Sequence, residues 1–217
     1  MTAALVIAVR GGPTAKSRCA AALTGGERQA LVAAMLRDML VAAMAARGVQ
    51  AVTVITPTPD LAVLAEALGA RVIFEPRANG LNTAFSTAAE AAWTRGRPLL
   101  LLPGDLPLIG SSDLEMAMEA ARGGSVVLAR SAADGGTGAI ALPAGARIPF
   151  QFGPDSFRRH RAAAHAMGHT PRIIASGPLG YDIDRPGDLD RVLLAPATHS
   201  AAVLRRVRAA VLLKETA

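Results

Sequence analysis

Three aspartates in this sequence stand where a carboxylate could do chemistry. Asp105 follows four consecutive leucines and a Pro-Gly turn, which predicts the end of a strand buried on both faces. An ionised carboxylate is costly there without a partner, and ligands of open α/β sheets bind at the carboxyl ends of the strands. Asp105 is therefore well placed to hold a hard cation; the alternative is that it caps a helix beginning near Ser111. Asp182 and Asp184 alternate along an extended segment, so both point to one side. A capping role for Asp184 would explain one of these acids, but not both together with Asp105.

A basic loop that contains glycine follows the first expected strand. It runs from Arg10 through Gly11 and Gly12 to Lys16 and Arg18. Glycines let a backbone approach phosphate closely, and the cations could neutralise its charge. Because the spacing of a P-loop is absent, a solvated basic loop is the alternative.

Two helix starts could also receive an anion. Gly80 and Asn82 open one helix and could present backbone N–H groups and an amide to a ligand, unless Asn82 is simply the N-cap. Gly153 and Pro154, followed by Ser156, open another helix. Its free N–H groups and positive dipole end suit a phosphate or a carboxylate.

Side-chain patterns predict how several helices pack. His160 and His165 are expected on a solvated basic face, since neither has metal partners at close spacing. A methionine-rich stripe that ends at Met44 is expected in the core. A C-terminal helix over residues 198–214 is expected to pack on the sheet, with Val211 among its inward residues.

The hydrophobic pattern supplies a scaffold for these residues. Strands and helices alternate, which is typical of a parallel sheet covered by helices, until a glycine turn at residues 135–138 breaks the order. No linker, repeat or low-complexity stretch divides residues 1–217, so one domain is expected. The expected strands are 5–9, 52–55, 71–74, 99–102, 125–130, 139–142 and one containing 173–174. The expected helices begin at 25, 59, about 80, 112, 156, about 186 and 198.

Composition limits the classes of partner. The net charge is +6, which favours anionic ligands, but only 3% of residues are aromatic and no basic run is long. Stacking platforms for bases are therefore scarce, and a small phosphorylated substrate fits better than nucleic acid. No apolar run is long enough for a membrane span, and no signal peptide is expected. The single cysteine, Cys19, agrees with a reducing compartment, so a cytoplasmic protein is expected.

Taken together, the motifs resemble one family. It comprises the guanylyltransferases that activate 2-phospho-L-lactate, phosphoenolpyruvate or 3-phospho-D-glycerate in deazaflavin coenzyme synthesis. They lie within the larger superfamily of sugar and molybdopterin nucleotidyltransferases. The resemblance spans about residues 5 to 192. It rests on the basic loop and on Gly80-Leu81-Asn82, Pro103–Leu108, Gly135-Gly136-Thr137, Phe152–Phe157 and Asp182–Leu189.

The resemblance implies a fold and a reaction. The fold is a Rossmann-like, three-layer α/β nucleotidyltransferase, mostly parallel, with a small antiparallel excursion near residues 137–150. The reaction is an Mg²⁺-dependent attack of the acid's phosphate on GTP. It would release pyrophosphate and leave a diphosphate-linked guanosine ester.

The matching motifs also imply a role for each candidate residue. The metal would be held by Asp105, Asp182 and Asp184, and the phosphorylated acid by Thr137, Gly153 and Ser156. The catalytic set would be Lys16 and Arg18, facing the leaving phosphates, with Asp105. The nucleotide would lie along Arg10, Gly11, Gly12, Gly80, Leu81 and Asn82.

The sequence departs from the family pattern at two places. Gly138 stands where the family usually has Asn after Gly-Gly-Thr, and the first loop is richer in glycine than the usual V-K-P. Two alternatives stay open. One is a molybdopterin cytidylyl- or guanylyltransferase, although the first loop lacks that family's G-x-D-K end; the other is a catalytically silent nucleotide-binding module. The sequence does not decide between a monomer and a homodimer, nor which acid is used.

Overall fold

A computed structural model describes residues 2–77, 79–93, 95–132, 135–175, 177–195 and 198–215. The strands are β1 (Ala3–Ala8), β2 (Val49–Thr56), β3 (Arg71–Phe74), β4 (Leu99–Pro103), β5 (Val127–Arg130), β6 (Thr137–Leu142) and β7 (Arg172–Ile174). The helices are α1 (Gly25–Ala45), α2 (Pro59–Ala67), α3 (Leu81–Trp93), α4 (Ser111–Arg122), α5 (Ser156–Ala166), α6 (Pro186–Leu194) and α7 (His199–Glu215). Short 3₁₀ turns lie at Ser17–Cys19 and Pro178–Gly180.

All seven strands form one sheet, in the order β3-β2-β1-β4-β6-β5-β7. β1 pairs in parallel with β2 and β4, β2 with β3, and β5 with β7. β6 is antiparallel to both β4 and β5. The expected α/β, mostly parallel fold is therefore confirmed. The antiparallel excursion is β6, which ends at Leu142 as expected and begins two residues earlier, at Thr137; the following residues form a turn and extended coil.

The leucine run of β4 is buried on both faces, as predicted. Leu100 and Leu102 pack into one core with side chains of α1, α2, α4, α6 and α7. Leu99 and Leu101 point the other way, into a second core with α3 and Ala164 of α5. Since a strand alternates its side chains between faces, this division produces the three layers of the expected architecture.

Helix α1 begins with a capping box. Thr24 accepts a hydrogen bond from the Glu27 backbone, and the Glu27 carboxylate accepts one from the Thr24 backbone. The prediction that Met44 lies in the core is wrong, because its side chain is 44% exposed. The last turn of α1 buries Ala42 and Ala43 instead, so the core-facing stripe has rotated past Met44.

Helix α7 packs on helices rather than on the sheet, which corrects the prediction. Its contacts are with α1 and α6. The buried Asp38 carboxylate of α1 accepts hydrogen bonds from the backbone N–H groups of His199 and Ser200, at 2.7 and 2.9 Å. This contact satisfies two free donors of the first turn of α7. Val211 is 49% exposed, because burial is confined to the first half of the helix.

No helix within the described ranges is both long and apolar enough to cross a membrane.

The turn before residues 182–184 lies directly against the start of β6. A Cβ atom added at Gly138 would stand 2.0 Å from the Leu179 carbonyl oxygen, and one at Gly180 would stand 2.1 Å from the Arg130 carbonyl oxygen. The space that an Asn side chain would occupy at position 138 is therefore filled by backbone. Only glycine fits at both positions.

We expect Gly138→Ala to lower the free energy of unfolding by about 1–3 kcal/mol, because the added methyl group must displace a backbone carbonyl. The matched control is Gly26→Ala in the first turn of α1, where an added Cβ meets nothing within 4 Å. That change should be neutral or stabilise by up to about 1 kcal/mol. Urea denaturation measures both, and equal midpoints for the two variants would contradict the close packing at Gly138.

Candidate active site

The site begins where β1 and β4 end side by side. The Gly104 backbone N–H donates to the Ala8 carbonyl at 2.8 Å. A Cβ atom at Gly104 would stand 2.5 Å from the Cβ of Val9, so the residue must be glycine for the two strand ends to stay this close. This contact delivers Asp105 to the base of the loop that follows β1.

An ion pair joins that loop to Asp105. The Lys16 ammonium lies 2.7 Å from Oδ2 of Asp105 and 3.8 Å from Oδ1 of Asp184. Lys16 has a left-handed backbone, with φ of 50°. Burial lowers the pKa of Lys16, but the Asp105 carboxylate, followed by Asp184, outweighs it and raises the pKa above its ordinary value. Lys16 is therefore a fixed positive charge at neutral pH.

The segment carrying the other two aspartates is held to the end of β4 through its backbone. The Ile183 N–H donates to the Asp105 carbonyl at 3.0 Å. The Asp184 carboxylate forms an ion pair with the Arg18 guanidinium, and Asp182 accepts from the Ser131 hydroxyl at 2.7 Å. The alternative that Asp184 caps α6 does not hold, since the N-cap residue is Arg185. Asp188 accepts from the backbone N–H groups of Asp184 and Arg185 at the start of α6 instead.

The aspartates reach the same edge of the sheet without forming a ready ligand cluster. Within the described part of the chain, no three His, Cys, Asp or Glu side chains stand at metal-binding spacing. The Lys16 ammonium lies between Asp105 and Asp184, and Asp182 turns toward Ser131. However, Oδ1 of Asp105 is buried with no hydrogen-bond partner among the described residues. A buried, unpaired carboxylate oxygen suits a divalent cation, so metal binding by these aspartates stays a prediction.

A cleft of about 550 Å³ opens beside this charge cluster. Seven of the predicted site residues line it: Arg10, Lys16, Arg18, Gly80, Leu81, Asp105 and Asp184. Gly11 and Gly12 do not line it, and the Gly11 N–H is occupied by the Thr58 hydroxyl at 3.0 Å. Glu75, at the end of β3, also lines the cleft and was not singled out from the sequence. The cleft thus combines cations for an anionic ligand with carboxylates for a counter-ion.

A second cluster, formed by Thr137, Ser156 and His160, is almost completely buried. The Thr137 oxygen lies 2.8 Å from Nδ1 of His160 and accepts from the Ser156 hydroxyl at 3.2 Å. The prediction that His160 lies on a solvated basic face is wrong, since its exposure is 0%. His165, on the other face of α5, is exposed as predicted. Burial, with a smaller contribution from Arg159, lowers the pKa of His160 from 6.5 to about 4.

The loop before α5 is pinned from both sides. The Gln151 backbone N–H donates to Nε2 of His160 at 2.7 Å. The Asn82 side chain bonds both backbone groups of Phe152, donating to its carbonyl at 3.2 Å and accepting from its N–H at 2.6 Å. Asn82 is therefore not an N-cap; its amide fixes the loop that carries Gly153, and nucleotide contact by Asn82 stays a prediction.

Strand direction places the buried cluster close to the charged one. β6 is antiparallel to β4, with Leu101 opposite Ile140. Because β6 runs in the opposite direction, its start at Thr137 lies toward the edge of the sheet at which β4 ends. The cleft and the Thr137 cluster therefore lie at the same edge of the sheet, where ligands of such folds bind.

Two partners in the site were missed from the sequence, and each had a weak signal. His160 stands four residues after Ser156, the spacing that puts two side chains on one face of a helix. That spacing could have linked the histidine to the expected acid-binding serine. Ser131 directly follows the end of β5, and the glycine turn leads into the neighbouring strand, β6. Serine is too common in loops for that position to be informative.

Comparison with known proteins identifies the family. The family model described as "Guanylyl transferase CofC like" matches residues 3–217. The chain belongs to the CofC-like guanylyltransferase family. A 3-phospho-D-glycerate guanylyltransferase of Phenylobacterium zucineum is 45% identical over 201 residues, covering 91% of this chain and 92% of that protein. A phosphoenolpyruvate guanylyltransferase of Sphaerobacter thermophilus is 36% identical, covering 88% and 93%.

Solved structures agree with the fold of the CofC-like family. A candidate nucleotide-diphospho-sugar transferase from Desulfovibrio desulfuricans superposes with a TM-score of 0.78, covering 96% of each chain. Its sequence identity is only 15%, so this likeness supports the architecture alone.

The buried histidine predicts how stability depends on pH. The pKa of His160 is about 4 in the folded chain and about 6.5 when unfolded, so between these values the unfolded state binds more protons. We expect the free energy of unfolding to fall as the pH is lowered from about 6.5 toward 4. His160→Gln should remove that part of the slope, whereas His165→Gln should retain it. Denaturant titrations at several pH values provide the measurement, and identical slopes for all three proteins would contradict a buried neutral ring.

Proposed function

We propose that this protein transfers GMP from GTP to the phosphate of a three-carbon phospho-acid and releases pyrophosphate. The acid would be 3-phospho-D-glycerate, phosphoenolpyruvate or 2-phospho-L-lactate, and the product would serve deazaflavin coenzyme synthesis. The observation that supports the proposal is that two polar clusters lie at one edge of the sheet. One is the cleft with Lys16, Asp105 and Asp184; the other is the hydroxyl pair of Thr137 and Ser156. Membership of the CofC-like family supports the reaction class.

The two substrates would occupy these subsites separately. GTP would lie in the cleft along Arg10, Gly80 and Leu81, with its β- and γ-phosphates toward Lys16 and Arg18. The acid would lie at Thr137, Gly153 and Ser156, near the start of α5. The Ser156 and Phe157 backbone N–H groups donate to the Gly153 and Gly135 carbonyls, so the Thr137 hydroxyl and the positive end of that helix are what would suit its negative charges.

The reaction joins two polyanions, so the protein must overcome charge repulsion and align the reacting groups. An oxygen of the acid's phosphate attacks the α-phosphorus of GTP, and the bond from that phosphorus to the β-phosphate oxygen breaks. Lys16 and Arg18 would neutralise charge on the departing pyrophosphate. A substrate phosphate is already ionised at neutral pH, so no protein nucleophile or strong base is needed.

The carboxylates would hold a divalent cation. Asp105, with its unpaired buried oxygen, and Asp182 or Asp184 are oxygen ligands of the kind that Mg²⁺ prefers. When bound, the ion would supply charge stabilisation at the attacked phosphate and the leaving group. Lys16 would then turn from the carboxylates toward the phosphates that it is proposed to neutralise.

The test is pyrophosphate release with GTP, Mg²⁺ and each of the three acids. We expect turnover with at least one acid, and Asp105→Asn should lower kcat by about a hundredfold or more. Asp190→Asn, on the exposed face of α6, is the matched control and should leave the rate unchanged. Absence of pyrophosphate with all three acids would refute the proposal. Preference for CTP with molybdopterin would indicate the alternative transferase, and GTP binding without turnover a silent module.

A further inference from the structure

The tautomer of His160 is determined by its backbone neighbour. The Gln151 N–H can only donate, and it points at Nε2 of His160 at 2.7 Å. Nε2 must therefore be the unprotonated, accepting nitrogen. In a neutral imidazole the proton then resides on Nδ1.

That assignment fixes the role of the Thr137 hydroxyl. Nδ1–H of His160 donates to the Thr137 oxygen at 2.8 Å, and the Ser156 hydroxyl donates to the same oxygen at 3.2 Å. A threonine hydroxyl offers two acceptor positions and one proton. With the Ser156 hydroxyl as the donor, both acceptor positions are used, and the proton of Thr137 points out of the cluster. Within the described part of the chain, no group accepts it.

We propose that His160 is a positioning residue for the phospho-acid: locked as the Nδ1–H tautomer by Gln151, it makes Thr137 a proton donor aimed at an anionic oxygen of the acid. The inference rests on the proposed function, because it takes Thr137 as part of the acid subsite. His160 itself is fully buried and does not touch the substrate. It acts through Thr137 on one side and through the Gln151 loop on the other.

A purely structural role is the competing explanation. His160 packs edge-on against the Phe152 ring, with centroids 4.8 Å apart, so its loss would weaken the local core in any case. Such a loss would lower stability without selecting one substrate. Loss of the proposed positioning role would instead raise KM for the acid and leave KM for GTP unchanged.

Two substitutions distinguish the roles of the two ring nitrogens of His160. The amide of Asn in His160→Asn can reach the position of Nδ1 and keep a donor to Thr137, but it leaves Gln151 without its acceptor. The amide oxygen of Gln in His160→Gln can reach the position of Nε2 and keep Gln151 satisfied, but it removes the donor to Thr137. We expect His160→Gln to raise KM for the acid about tenfold, the value of one charge-assisted hydrogen bond, and His160→Asn to restore most of the affinity.

A double-mutant cycle with Thr137→Val tests whether the effect passes through Thr137. If it does, adding His160→Gln to Thr137→Val should change KM for the acid by less than about twofold, because the hydroxyl to be oriented is already gone. His165→Gln, on the exposed side of α5, is the control for changes in that helix and should leave both KM values unaltered. Additive effects, or equal changes in the KM values for GTP and acid, would overturn the proposal.

A measurement on the unmodified protein covers the case in which variants fail to fold. The ¹⁵N resonances of His160 at pH 7 should show a neutral ring protonated at Nδ1, and protonation at Nε2 would overturn the proposal. Titration calorimetry with phosphoenolpyruvate, 3-phospho-D-glycerate and 2-phospho-L-lactate separates the two inferences. Acid binding without pyrophosphate release would refute the transferase activity. The role of His160 would then be decided by measuring acid binding to the His160 variants with the same calorimetry. No binding of any of the three refutes both.

Discussion

The ion pair between Lys16 and Asp105 joins the loop after β1 to the end of β4, and the arrangement of the site depends on it. Its nitrogen and oxygen lie 2.7 Å apart, with side chains 11% and 26% exposed. A largely buried carboxylate needs a partner, and the lysine satisfies only one of its oxygens. The other, Oδ1, is buried without a hydrogen bond among the described residues. The loop is thus folded onto a carboxylate that still has capacity for a second positive charge.

The antiparallel direction of β6 brings the first residue of a strand to the edge of the sheet where ligands bind, which a parallel strand would not do. In a parallel sheet, only residues at strand carboxyl ends reach the ligand-binding edge. Because β6 runs the other way, its first residue, Thr137, reaches that edge, while its last residue, Leu142, pairs with Leu99 at the opposite edge. A residue at the start of a strand therefore lies at the same edge of the sheet as Asp105. Because position 138 is glycine, the 3₁₀ turn at Pro178–Gly180 can pack against the start of β6. The chain continues from that turn to Asp182.

The sequence was sufficient for the fold and for part of the site because these depend on local pattern. The leucine run gave β4, and the Thr24 capping box gave the start of α1. The errors came from contacts distant in sequence. Apart from its spacing from Ser156, nothing near His160 indicates that a strand twenty-three residues earlier would bury it against Thr137. Likewise, the position of α7 depends on Asp38, which lies 161 residues before His199, and not on the periodicity of the helix itself.

The two proposed subsites differ in charge, and this difference bears on selectivity. The cleft carries full charges, Lys16 and Arg18, whose attraction to phosphate would be strong but insensitive to shape. The Thr137 cluster is formally neutral, so it can discriminate only through the direction of its hydrogen bonds and the shape of its walls. The three candidate acids share a phosphate and a carboxylate. They differ in the carbon skeleton between these groups, and 3-phospho-D-glycerate also carries a free hydroxyl group. On the proposed assignment, selection among them would arise in the neutral subsite. There the Leu179 carbonyl, close to Gly138, replaces the polar side chain that the family pattern usually places at that position.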